Sequence, residues 1–203
     1  MTTSEALHAS DRVVRRVLSD GEYVVNHSLI TGSGGPTAVR FDLWRVADGA
    51  VAEHWADEEQ WVLETANGHT QIDGARATDH SEHTETTRRI ATATVQTILV
   101  EGDTSALGEH LAGEAYAQHN PRFADGVSGL VAALTALAEQ GITMKYDGIR
   151  QVAAEGDFAY LRSDGVFGGQ PFVFHDLFRV CRRAMRRALG RDGPPRLAMV
   201  QLM

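Results

Sequence analysis

Two aspartates hold corresponding places in a repeated stretch of this chain. FDLWRV, residues 41 to 46, returns 134 residues later as HDLFRV, residues 175 to 180. In each copy the aspartate (Asp42, Asp176) stands two positions before an aromatic ring (Trp44, Phe178), and the two-residue period of a strand puts carboxylate and ring on one face. Two chemistries fit this pattern. The plain one is a sheet carboxylate that pairs with a neighbouring arginine or caps a turn, since a buried charge needs a partner. The sharper one is a carboxylate inside an aromatic pocket. Apolar walls there raise a reference pKa of about 3.9 and turn a poor base into a useful one. Trp44, Trp55, Trp61, Phe123, Phe174 and Phe178 are available as walls.

Other chemistry-bearing types are sparser. His80 and His83 lie three apart beside Asp79 and Glu82, a spacing that can hold a metal on a helix. No further ligand set accompanies them, so they read as part of a solvated linker, with His69 in the same stretch, and no metal is expected. No glycine-rich phosphate loop follows a strand, so no nucleotide cofactor is expected either. Asn120-Pro121 and Asp125-Gly126 mark ordered turns.

The elements that must position these residues follow from alternation and punctuation. Residues 12 to 60 read as a four-stranded antiparallel meander: Val13 to Leu18, Tyr23 to Thr31, Thr37 to Val46 and Val51 to Asp57, with turns at Ser19-Asp20-Gly21 and Ala47-Asp48-Gly49. In the third strand Val39, Phe41, Leu43 and Arg45 fall on one side, and Arg40, Asp42, Trp44 and Val46 on the other. Residues 1 to 11 are polar and expected to fray. Residues 64 to 84 read as a surface linker. Three helices follow. The first carries Ile90, Thr94, Val95, Ile98 and Leu99 on one face; the second covers Thr104 to Leu111 with Asp103 or Thr104 as N-cap; the third carries Leu130, Val131, Leu134, Leu137 and Ala138 and stops at Gly141. Strands return at Thr143 to Ala153, Asp157 to Ser163 and Pro171 to Val180. The repeat extends through the meander, because RRVLSDGEYV (15 to 24) matches RQVAAEGDFA (150 to 159) at an offset of 135. The change of offset by one fits two hairpin loops of different length, TGSGG and DGVFGG. The division expected is a partial copy at 12–63, a linker at 64–84, a second partial copy at 85–180 and an arginine-rich tail at 181–203 with no structure assigned.

A formal charge of -8 argues against nucleic acid or an anionic membrane as a partner, the arginine-rich stretch 181 to 191 excepted. No membrane span or signal peptide is indicated, and the single Cys181 excludes an internal disulfide and suits a reducing cytoplasm.

Helices followed by a long antiparallel meander form an α+β layer arrangement. The order resembles the nuclear transport factor 2-like fold, a cone-shaped sheet on three helices, and in particular the SnoaL-like polyketide cyclase and aldol-condensation family. The likeness rests on Tyr116-x-Gln118-His119-Asn120-Pro121 with Asp125-Gly126, on Gly156-Asp157-Phe158, on the repeated DLWRV and DLFRV, and on Asp48-Gly49 followed by Glu53-His54-Trp55. The order of the pieces departs from the family, because EHW comes first and QHNP later. The reading is therefore a partial, permuted repeat. Ala50 to Gln60 is the type of strand missing after Val180, and is expected to fill that gap within one chain or in a strand-swapped homodimer.

The resemblance implies cofactor-free acid/base chemistry, a cyclisation, aldol-type condensation or isomerisation, on a hydrophobic keto substrate within the cone. It makes His119 and Asn120 donors or proton carriers, Asp57 and His54 the acid/base pair, and Asp42 and Asp176 orienting carboxylates. Tyr116, Trp55, Trp44, Phe123 and Phe178 become substrate-binding walls. The family's EHWD has Asp directly after Trp; here Ala56 stands there, which turns Asp57 to the opposite side unless a bulge intervenes. The residues themselves leave plainer roles open: a turn for His119-Asn120-Pro121, an exposed strand face for Glu53 and His54. A non-catalytic ligand-binding or dimerisation module of the same fold is the alternative, because fold does not fix function.

Overall fold

The computed structural model describes residues 11–32, 36–80, 83–180 and, as backbone, 197–202. Of the expected fraying of residues 1 to 11, all but Asp11, which opens the first strand, lies outside these, as does the arginine-rich stretch 181 to 191. The first four strands are β1 (Asp11–Ser19), β2 (Tyr23–Thr31), β3 (Ala38–Ala47) and β4 (Ala50–Gln60), paired in that order into one antiparallel sheet. Then come α1 (Thr84–Thr94), continued by a π-helical turn over Val95–Val100; the short α2 (Leu107–His110); β5 (Ala117–Gln118); and α3 (Gly126–Glu139). Three long strands follow, β6 (Met144–Glu155), β7 (Phe158–Phe167) and β8 (Gln170–Val180), and last β9 (Leu197–Leu202). The second sheet runs β5-β9-β8-β7-β6. All its neighbours are antiparallel except β5 and β9. Local signals set the ends. The carboxylate of Asp103 caps the turn before α2 by accepting from Ser105 N–H, and Gly141, just past α3, takes the left-handed φ of +69° that a helix stop needs.

The chain stacks three layers: first sheet, second sheet, helices. β7 is buried on both faces, and its alternation shows the two cores. Ala159 and Leu161 face the helices with Leu107, Leu111, Leu130 and Phe178. Phe158 and Tyr160 face the first sheet with Val25, Val39, Phe41 and Leu43. Those four first-sheet side chains are 0 to 1% exposed. Separating the sheets would uncover roughly 6–12 kcal/mol of apolar burial from these four side chains, so the two partial copies share one core.

The repeat is visible in three dimensions. A β-bulge interrupts the β1–β2 register at Arg15 and the β6–β7 register at Arg150, its counterpart at the offset of 135. Across the interface, Ser19 N–H donates to Glu155 Oε2 (2.8 Å) and Ala154 N–H donates to Asp20 Oδ2 (3.3 Å). Ser19 and Ala154 are counterparts, as are Asp20 and Glu155, so the bonds are exchanged in the manner of a two-fold interface. Phe41 stacks on its own counterpart His175, centroids 5.6 Å apart and rings 3° from parallel.

Two expectations are corrected. Ala50–Gln60 does not fill the gap beside β8; it stays paired with β3, and β9 from the tail lies against β8 instead. β9 pairs antiparallel with β8 over Asp176–Val180, whereas β4 is held by a two-residue turn to β3. The stretch 64 to 80 is not a solvated linker: Gln71 and Ile72 are buried. Arg16, itself 2% exposed, donates to the carbonyls of Ile72, Asp73 and Ala75 and pins this connection to the first sheet. No helix among the described residues is long and apolar enough to cross a membrane.

Candidate functional site

The two aspartates of the repeat have opposite surroundings. Asp42 accepts from Arg12, from Arg40 through two nitrogens, and lies 2.8 Å from His54 Nε2. Burial alone would raise its pKa, but the hydrogen bonds from Arg40 and His54 and the charge of Arg12 bring it below its ordinary value. Trp44 stacks flat on His54 at 4.9 Å on the same face, which no described helix covers. Asp176 has no arginine. It is fully buried on the helix-facing side of the second sheet, near Tyr116 and Phe178; Tyr146 Oη donates to its Oδ1 (3.3 Å), and among the described residues Oδ2 has no partner. Burial pushes this carboxyl up to about 8, with the Tyr146 hydrogen bond opposing it. The plain reading holds for one copy and the aromatic pocket for the other.

A cavity of about 860 Å³ opens between the end of β4, the loop 120–123, α3 and the β7–β8 hairpin. Phe123, Leu137, Met144, Tyr146, Phe172 and Phe174 supply apolar wall; Asp57, Glu59, Asn120, Arg122 and His175 supply the polar part. Asp176 is not on its wall, although Tyr146 and Phe174, its close neighbours, are. Asp57 reaches the cavity because β4 keeps strict alternation there: Asp57 pairs with Phe41 and Trp55 with Leu43, so both face inward with the first sheet's core. Glu59, two further on, follows them.

Asp57 is tied to a buried chain. Its Oδ2 lies 3.1 Å from His175 Nε2, and His175 Nδ1 is 2.6 Å from Tyr160 Oη. The interaction with His175 holds Asp57 below its ordinary pKa against the opposing effect of burial, with Arg162 adding to the lowering. Glu59 goes the other way: burial raises it, and a hydrogen bond from Gln71 Nε2 to Oε2 (3.0 Å) only partly offsets that. One strand face thus presents one carboxylate held ionised and one biased toward its acid form. Pairs pushed apart in this way are how acid and base roles are divided between like groups. Asn120 accepts Arg122 N–H on Oδ1, which leaves its NH₂ as the group with hydrogens to offer.

Of the candidate site residues and aromatic walls named from sequence, Asp57, Asn120, Phe123 and Phe174 line this cavity. His119 does not: it is 3% exposed, stacks on His69 with centroids 5.0 Å apart, and turns Nε2 toward Asp73. The backbone N–H groups of both His119 and Asn120 are held by Gln118 Oε1, so consecutive side chains leave the turn in different directions. Trp55 packs between the sheets near Arg162, Tyr116 and Phe178 belong to the helix-side core, and His54, Asp42 and Trp44 sit on the far face of the first sheet. Sequence reasoning missed Glu59 and His175. The period-2 signal could have found Glu59 once Asp57 was placed; His175 was hidden because its copy in the repeat is Phe41.

The structure defines an α+β protein with a large, mostly apolar cavity and two carboxyls of divided character on its wall. No family model, curated protein or solved structure matches the chain.

Proposed function

We propose that this is a SnoaL-like small enzyme on a cone-type, nuclear transport factor 2-like scaffold, performing cofactor-free acid/base chemistry on a hydrophobic keto substrate. The reading rests on the opposed pair Asp57 and Glu59 at the wall of one apolar cavity. The substrate's carbon skeleton lies against Phe123, Leu137 and Phe174. Asp57 removes a proton from the carbon next to the carbonyl, Glu59 delivers its proton to the carbonyl oxygen, and Asn120 donates a hydrogen bond to the same oxygen as charge develops. The enol so formed is the nucleophile for an intramolecular aldol-type ring closure or returns as an isomer. A low-pKa base demands an acidic C–H, so 1,3-dicarbonyl compounds are the substrate class.

Hydrogen–deuterium exchange at the α-carbon of cyclic and open-chain 1,3-diketones, followed by NMR, tests this without knowledge of the final product. Exchange should be faster than in buffer and fall about 100-fold or more in Asp57→Asn. Its rate should decline as pH rises past Glu59's raised value, above 4.5, and that decline should vanish in Glu59→Gln. Exchange no faster than in buffer for the whole panel would remove the proposal. The second reading, a ligand-binding module, is favoured by one observation: the carboxyl with the largest shift, Asp176, is sealed from the cavity. Saturable binding of the same diketones with no exchange would select it. The face of the second sheet turned away from the helices is covered here by β1 to β4, so a homodimer would use another surface.

A further inference from the structure

We propose that His69, Asp73 and His119 form a binding site for one divalent transition-metal ion of the zinc type, separate from the cavity. The three residues come from the connection after β4 and the turn after β5, and their ligand atoms all lie within 4.8 Å of one another. Two imidazoles and a carboxylate are the donor set of an open tetrahedral zinc site, whose fourth position a solvent molecule takes. Asp73 Oδ2 is 3.5 Å from His69 Nδ1, and Asp125 Oδ2 is 3.2 Å from His69 Nε2, close enough to orient that ring.

The independent observation is His119. It is 97% buried, yet among the described residues neither ring nitrogen makes a well-aligned hydrogen bond, even though Nε2 stands 2.6 Å from Asp73 Oδ1; that oxygen is likewise without a partner. A buried imidazole whose Nδ1 has no partner among the described residues, and whose Nε2 meets Asp73 at poor alignment, is costly, and a metal satisfies it together with the carboxylate. Ligand separations in a tetrahedral site are about 3.4 Å. His69 is partly exposed on a loop, so it can swing in to close the set, and it also leaves an entry path. The consequence is structural. The connection already docks on the turn through Asn67 Nδ2, which donates to the carbonyls of Asn120 and Phe123, and an ion would lock that contact. None of the three ligands lines the cavity, so the acid/base chemistry proposed above does not depend on the ion.

The test uses the full chain, stripped with a chelator and dialysed, titrated with Zn²⁺ by calorimetry and with Co²⁺ by visible d–d absorption. One ion per chain is expected, with the strong absorption of tetrahedral cobalt. Affinity should fall at least about tenfold in each of His69→Ala and Asp73→Asn and stay unchanged in His80→Ala. Zn²⁺ should raise the melting temperature of the wild type and not that of His69→Ala. His69 and Asp73 are chosen because both are partly exposed, so that their replacement is expected to leave the fold intact. No binding by the wild type, a loss of less than tenfold in either variant, or a loss in His80→Ala overturns the proposal.

Discussion

Asp176 makes stability depend on pH in a way that one substitution should erase. Its carboxyl is pushed up to about 8 in the folded chain, against an ordinary value of 3.8. Below about pH 4 it is protonated in both states and folding is not penalised. As pH rises, the unfolded chain ionises while the folded chain keeps its proton, and each unit costs about 1.4 kcal/mol until the folded pKa is passed. Stability is therefore fully present in acid and lost as pH climbs toward 8. Between pH 5 and pH 8 the loss from this group comes to roughly 3–4 kcal/mol. Asp176→Asn is nearly isosteric, keeps an acceptor for Tyr146 Oη and cannot ionise. Every other titrating group is common to both proteins, so the difference between variant and wild type isolates Asp176. Urea unfolding followed by tryptophan fluorescence at pH 5, 6, 7 and 8 should show Asp176→Asn gaining steadily on the wild type by about that amount. A difference that stays constant within about 0.5 kcal/mol across the range would refute the assignment of a buried, uncompensated carboxyl.

Arg16→Met should cost about 2–4 kcal/mol in the same assay, because it leaves one buried and two partly buried carbonyls of the connection without their charged donor while conserving the apolar stem. Gly165→Ala should lower the melting temperature by the equivalent of about 2 kcal/mol or more, because a Cβ there would overlap the Lys145 carbonyl oxygen and press on the ring of Phe174.

The repeat, the meanders and the three helical stretches are legible in sequence because each depends on short-range periodicity and turn residues. The inward face of β3, with Phe41 and Leu43, follows from alternation alone. The fate of the two aspartates does not, since it depends on whether helices cover the sheet: where they do, at Asp176, arginine is absent, and where they do not, Arg12 and Arg40 reach in. The pairing of β9 with β8 joins strands separated by an arginine-rich stretch with no strand pattern of its own, so nothing local announces it. His119 was readable as a polar residue in an ordered turn; that it points to His69 rather than to the cavity depends on Gln118 fixing the backbone and on a connection docked 50 residues earlier in the chain. Alternation along β4 turns Asp57 to the cavity, but its partner His175 comes from the second sheet, a contact across 118 positions.

The exchanged bonds between Ser19 and Glu155 and between Ala154 and Asp20 also govern how the chain is made. β1 to β4 leave the ribosome first, and their apolar face waits for partners at Phe158, Tyr160 and Leu177. At roughly 5–20 residues per second, that face stays bare for about 6–24 s of synthesis. During that interval the early sheet is a sticky surface whose own nascent counterpart on a neighbouring chain is the nearest match in shape. Slow translation between residues 60 and 177 should therefore lower soluble yield, and a chaperone that shields apolar strands should restore it.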